Sequence, residues 1–143
     1  MEKEIKKETT KSFNLSKLLK FIEENKSFLD NEIKIGIFSV GILVKIVMNL
    51  QYRKLNNTPF ENKLRGLNIN ADHIKKIYIE ALEKLSQYLS SGAYQDLREF
   101  IAKYFITNSY LLSKMSNDEI SFYFVSGMEI AKSFSGELEE ELQ

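Results

Sequence analysis

The sequence predicts an all-α protein: a single-domain helical bundle of about five main helices, with a short capped helix at 59–65. Three observations carry this expectation. Glycine and proline are scarce, with six and one in 143 residues, whereas a sandwich or barrel needs such residues at its many turns. Apolar residues recur at helical spacing through most of the chain. Two capping boxes, "TPFE" at 58–61 and "SNDE" at 116–119, mark helix starts. With 43% hydrophobic and 28% charged residues, the composition is that of an ordinary globular domain long enough to bury one core. The expected organisation is a polar lead-in over 1–12, a bundle over 13–136 and an acidic tail over 137–143. No internal repeat or domain-splitting linker interrupts it.

The first helix is expected to start near Ser12 or Asn14 as N-cap. Leu15, Leu18, Leu19, Ile22 and Leu29 give its buried face, and Asp30-Asn31 reads as the break. "EIKIGIFSVGILVKIVMNLQY" follows. From Ile35 to Tyr52 a helix would span ~27 Å, close to the ~30 Å of a bilayer core. Lys34 and Lys45 argue for a buried bundle helix instead. Eleven residues apart, they lie ~20° from each other around the axis, and Gly41, Met48 and Tyr52 fall near the same line. The helix is thus apolar nearly all round, with one narrow polar strip that its neighbours leave open.

In the next stretch Thr58 is placed as N-cap, Pro59 at the first helical position and Glu61 at the third. Gly66 suits the left-handed position that ends such a helix. Phe60 and Leu64 share its inward face, and with Leu67 they could plug the end of the bundle. Asn70 caps a third long helix whose face is Ile74, Ile77, Tyr78, Ala81, Leu85 and Tyr88, with Ser90-Ser91-Gly92 closing it. A fourth helix is expected over 94–106, followed by a weakly helical connector through Leu111 and Leu112. Ser116 opens the last helix, carrying Ile120, Tyr123, Phe124, Gly127, Ile130, Ala131 and Phe134. Gly127 in mid-helix costs ~1 kcal/mol relative to alanine, which points to close approach of another helix.

The residues give little room for catalysis. There is no cysteine, so disulfides, thiolate nucleophiles and thiolate metal sites are excluded, and a reducing compartment, most simply the cytoplasm, fits. The start, "MEKEIKKETTKS", carries no signal-type apolar region. His73 is the single histidine, too few for a zinc site, and beside Asp72 it reads as a surface residue. Glycine-rich phosphate loops and nucleophile elbows are absent from the sequence. The expectation is a protein that is not an enzyme and needs no cofactor or metal.

Charge is more informative. The total is zero, yet from 45 to 84 the basic residues Lys45, Arg53, Lys54, Lys63, Arg65, Lys75, Lys76 and Lys84 face only Glu61, Asp72, Glu80 and Glu83. Local fields outweigh the sum. Short loops should gather Arg53, Lys54, Lys63, Arg65, Lys75 and Lys76 at one end of the bundle. Lys45 and Asn62 are weaker candidates for the same surface. These residues could hold nucleic-acid phosphates without reading bases. The plainer reading is a solvated polar face.

"LNNTPFENKLRGLNIN", following the apolar "GIFSVGILVKIVMNLQY", resembles the C-terminal region of the large subunit of subtype I-B CRISPR effector complexes. "SNDEISFYFVSGMEIA" resembles that region's closing helix. The resemblance covers roughly 32–134. It implies a helical-bundle small subunit of a Cascade complex, a segment that can also be made separately from an internal start within the large-subunit gene. The partners so implied are the large and backbone subunits, neighbouring copies of itself, target DNA and the guide RNA–DNA hybrid, with no membrane. In such complexes base pairing reads sequence and protein reads backbone and shape. The rival expectations are an interaction module that touches no nucleic acid, and a cytoplasmic regulator that dimerises through Gly41 or Gly127.

Overall fold

The structure, a computed structural model, describes residues 13–55, 69–89 and 94–134, with side chains at all of these but 53–55. Among the described residues every regular element is helical. They are α1 (Leu15–Glu24), α2 (Glu32–Leu55), α3 (Ala71–Tyr88), α4 (Gln95–Ile101), a π-helical turn (Ala102–Ile106), a 3-10 turn (Ser109–Lys114) and α5 (Asn117–Ile130). The all-α class is as expected. The lead-in over 1–12, the capped helix over 59–65, the Ser90-Ser91-Gly92 closure and the acidic tail lie outside the described residues.

Asn14 caps α1, its side-chain oxygen accepting the Lys17 N–H at 3.1 Å. The helix stops at Glu24, earlier than the apolar spacing predicts. Asn25 ends it: its N–H donates to the Ile22 carbonyl at 3.2 Å, and its Nδ2 donates to the Phe21 carbonyl at 2.7 Å. Leu29 is buried, but from the turn that follows rather than from a helical face. Asn31 belongs to the next element, accepting the Lys34 N–H at 3.0 Å. Asp30-Asn31 is therefore the entry to α2, not the end of α1.

α2 is the axis of the molecule. Ile37, Val40, Ile42, Leu43, Val44 and Val47 are completely buried, and 78% of its most apolar window is covered inside the bundle. A helix of membrane-spanning length is thus a core helix here, as the two lysines predicted. The open polar strip is only partly present. Lys34 lies at one end of that line and Tyr52 at the other, but Met48 is 2% exposed and Gly41 is roofed by α5. The reason is steric: a Cβ at Gly41 would fall on the Phe124 carbonyl, and one at Gly127 on the Phe38 carbonyl. The two glycines lie in one crossing, backbone against backbone. Gly127 is a packing glycine, as predicted. Both glycines are consumed inside one chain, which removes the expectation that either mediates dimerisation.

A second close approach repeats the device. Gly36 sits under the backbone of Tyr104 and Phe105. There the predicted fourth helix changes its bonding: α4 ends at Ile101 and the chain widens into a π turn, with the Thr107 N–H reaching the Ala102 carbonyl at 3.2 Å. Asn108 closes the arrangement, its Nδ2 donating at 3.0 Å to both a Glu32 carboxylate oxygen and the Tyr104 carbonyl. That bond pins the start of α2 to the end of the π turn.

α5 opens on the capping box read in the sequence. Ser116 Oγ accepts the Glu119 N–H, and the Glu119 carboxylate accepts the Ser116 N–H, both at 3.1 Å. Aromatic contacts then join α1, α2 and α5. Phe21 stacks on Phe38 at 5.6 Å and meets Phe134 edge-on at 6.0 Å. Phe28 packs against Phe38, Phe122 and Tyr123, and the Tyr123 hydroxyl donates to the Phe28 carbonyl at 3.0 Å. Each such pair is worth about 0.5–1.5 kcal/mol beyond area burial.

The Gly127→Ala variant should unfold at lower urea concentration. Alanine gains about 1 kcal/mol of helix propensity, but the added methyl meets a backbone carbonyl that cannot rotate away, and overpacking of this kind costs about 1–3 kcal/mol or more. An unchanged or raised urea midpoint would show that α2 and α5 do not cross this closely.

Lys34 also reports on this junction. Its ammonium bonds Asp30 at 2.8 Å and lies 5.4 Å from the centre of the Tyr123 ring. The Lys34 hydrogen bond holds the Asp30 carboxyl below its ordinary value of 3.8. The same bond holds the Lys34 ammonium above its ordinary value of 10.5. The carboxyl's contribution is present above its unfolded pKa and fades as pH falls through the folded one. The difference in urea midpoint between wild type and Asp30→Asn should therefore be present at neutral pH and vanish below the carboxylate range. A difference that persists in acid would assign the loss to something other than this ion pair.

Candidate nucleic-acid interface

α3 carries the described part of the basic set. Asn70 caps it, its side-chain oxygen accepting the His73 N–H at 2.8 Å, and Ile74, Ile77, Tyr78, Ala81 and Leu85 face the core. A helix that buries those positions must turn Lys75 and Lys76 outward, and both are exposed. Neither has an acidic partner within ion-pair distance among the described residues. Glu80, the nearest acid toward the C-terminus, pairs with Lys84 at 3.8 Å.

The contacts around α3 decide where these lysines sit. The Tyr78 ring is 5.4 Å from the Phe105 ring, and the Phe105 backbone lies on Gly36, in the first half of α2. The Ile69 carbonyl, just before α3, accepts the Ser121 hydroxyl of α5 at 3.3 Å. Tyr123, two residues on, reaches the Phe28 carbonyl and Lys34. Through α5 the start of α3 is thus tied toward the Lys34 end of α2, while Lys45 lies nine residues beyond Gly36, or ~13 Å further along the axis.

Of the eight predicted contact residues, the structure describes the side chains of Lys45, Lys75 and Lys76. Lys45 is half-buried and the other two are exposed. The backbone of Arg53 and Lys54 continues α2 by some two turns past Lys45, and their side chains lie outside the described residues. Asn62, Lys63 and Arg65 lie wholly outside them. His73 is half-buried at the third position of α3, and among the described residues no group of three or more histidine or acidic side chains converges as a metal site would require. Tyr52, on the Lys34–Lys45 line, is 59% exposed in a helix that is largely buried.

With this geometry in hand, comparison with known proteins is decisive on family. The C-terminal domain of the CRISPR-associated protein TM1802 defines a family whose pattern matches residues 1–141. The chain belongs to that family. No match was found among curated proteins or among solved structures. Membership agrees with the resemblance to the C-terminal region of a CRISPR large subunit, and extends it to almost the whole sequence. In this CRISPR-associated domain α2 is the buried axis, α3 exposes Lys75 and Lys76, and α5 and the π turn pack on the glycines of α2.

The Asn70→Ala variant should lower stability by about 1 kcal/mol, the ordinary cost of losing an N-cap. It should also raise amide hydrogen exchange at Asp72 and His73 relative to Leu85. Exchange unchanged at those two amides would show that the start of α3 is fixed by something other than this cap.

Proposed function

We propose that the chain acts as the non-catalytic small subunit of a subtype I-B Cascade surveillance complex, in the cytoplasm. In this reading it stabilises the assembly and holds target or non-target DNA through its phosphates, without reading bases. Its partners are the large subunit, the backbone subunits, neighbouring copies of itself and DNA near the guide hybrid. The observation that carries the reading is the pair Lys75 and Lys76. They are exposed at the capped start of α3 without acidic partners among the described residues, in a chain that belongs to a CRISPR-associated family. Lys45, Arg53, Lys54, Asn62, Lys63 and Arg65 are assigned to the same surface by their sequence positions. Backbone holding needs only fixed cations, because counterion release supplies the affinity.

A second reading has its own observation. Phe122 and Val125 are 57% and 46% exposed on one side of α5, an apolar pair suited to docking another protein of the assembly. A module that works only through such docking would touch no nucleic acid.

Titration of the chain with labelled single-stranded DNA at several salt concentrations separates the two. With about four phosphate contacts, the log–log salt slope should be on the order of −3. The double variant Lys75→Glu, Lys76→Glu should flatten that slope by about 1 to 2 and weaken binding to all sequences alike. Its helical circular dichroism should be unchanged, since both positions lie past the first turn, where the helix dipole acts. Wild-type affinity that does not change with salt, or a double variant that binds as wild type does, would refute backbone holding and leave the docking module.

A further inference from the structure

The outer face of α5 departs from the pattern of a solvated helix face. Ile120, Phe124, Gly127 and Ala131 turn inward and are buried. Asp118, Phe122, Val125 and Glu129 lie opposite them, within ~60° of one another around the axis, and all four are exposed. A helix that buries one side should carry polar residues on the other. Here two large apolar side chains stand at the centre of that side, with an acid before them and an acid after. Asp118 suits the first turn of a helix. Glu129 lies in the last turn of α5, where the helix dipole disfavours an acid. Neither acid has a basic partner within ion-pair distance among the described residues.

The segment before α5 carries the inverse pattern. From the π turn into the 3-10 turn, Phe105, Asn108 and Leu112 are buried, while Lys103, Ile106, Tyr110 and Lys114 are exposed. The order is base, apolar, apolar, base. The two bases are eleven residues apart, and so are the two acids of α5. Lys103 lies 5.3 Å from the centre of the Tyr104 ring, and neither lysine has an acidic partner among the described residues.

We infer that these two stripes are the halves of one contact between two copies of this chain. Lys103, Ile106, Tyr110 and Lys114 of one copy are set on Asp118, Phe122, Val125 and Glu129 of another. The inference deepens the part of the proposed role in which copies are neighbours, and it does not rest on the hold on DNA. Either stripe laid on its own kind in a second copy would bring like charges together, which is costly. Crosswise pairing joins opposite charges at both ends and apolar side chains in the middle. Ile79, also exposed, offers α5 a poorer match: Lys75 and Lys76 precede it, but Glu83 follows and would meet an acid. The contact is small and edged by exposed charges, so association is weak and sensitive to salt.

The test is sedimentation velocity of the full chain, without nucleic acid, across a concentration series at low and high salt. Wild type should shift from single chains towards pairs or larger species as concentration rises, and back at high salt. Two charge-reversal variants should each stay single: Asp118→Lys with Glu129→Lys, and Lys103→Glu with Lys114→Glu. Each presents two stripes of one sign. Mixed in equal amounts they should associate again, because each carries the sign the other lacks. Tyr110→Ser should lose association while keeping its helical circular dichroism, since that side chain is 69% exposed. Wild type that stays single throughout overturns the contact, as do reversal variants that associate like wild type or fail to re-associate when mixed. The DNA titration keeps the two readings apart. A single chain that binds DNA with the expected salt slope loses the contact and keeps backbone holding. Association that the reversals abolish, in a chain that binds no DNA, keeps the contact and loses backbone holding.

Discussion

The fold depends on one close contact, the crossing of α2 and α5 at Gly41 and Gly127. Neither position has room for a methyl group, because each faces a carbonyl of the opposite helix. Backbones at that distance draw the side chains around them into continuous contact, which is why α2 can be apolar on almost every side. Gly36 extends the same logic, letting the π turn at 102–106 rest on the first half of α2. A sealed axis of this kind needs neighbours on all flanks. The short, irregular elements after α4 exist to supply them where a regular helix would stand too far away.

Sealing the axis has an electrostatic consequence. Lys34 and Lys45 are the only charged residues of α2 between Ile33 and Gln51. Lys34 is satisfied by Asp30 and by the face of Tyr123. Lys45, half-buried in mid-helix, has no comparable acid among the described residues. α3 keeps its core face apolar and turns Lys75 and Lys76 outward, so its cations are exposed.

Much of this was legible in the residues. The capping box at Ser116, the Asn14 and Asn70 caps and the core face of α3 follow local chemistry that a neighbour cannot overrule. The close approach at Gly127 was legible because a mid-helix glycine costs stability unless something replaces its side chain. Other features were not. Leu29 repeats at helical spacing with Ile22, yet Asn25 bonds back to Phe21 and Ile22 and ends α1 between them. The π turn has no signature of its own, and the Gly36 it rests on is more than sixty residues away. The polar line on α2 was seen, but which of its members a neighbour would cover was not in the pattern.

The sequence by itself determined which segments are helices, which faces are apolar and where the cations fall along the chain, because propensity, capping and periodicity act within a few residues. Only the tertiary structure decided which glycines touch which carbonyls, and that Met48 is covered while Tyr52 is bare. Those outcomes depend on how helices pack across long separations in sequence, where steric fit between whole backbones, rather than the preference of any residue, sets the result.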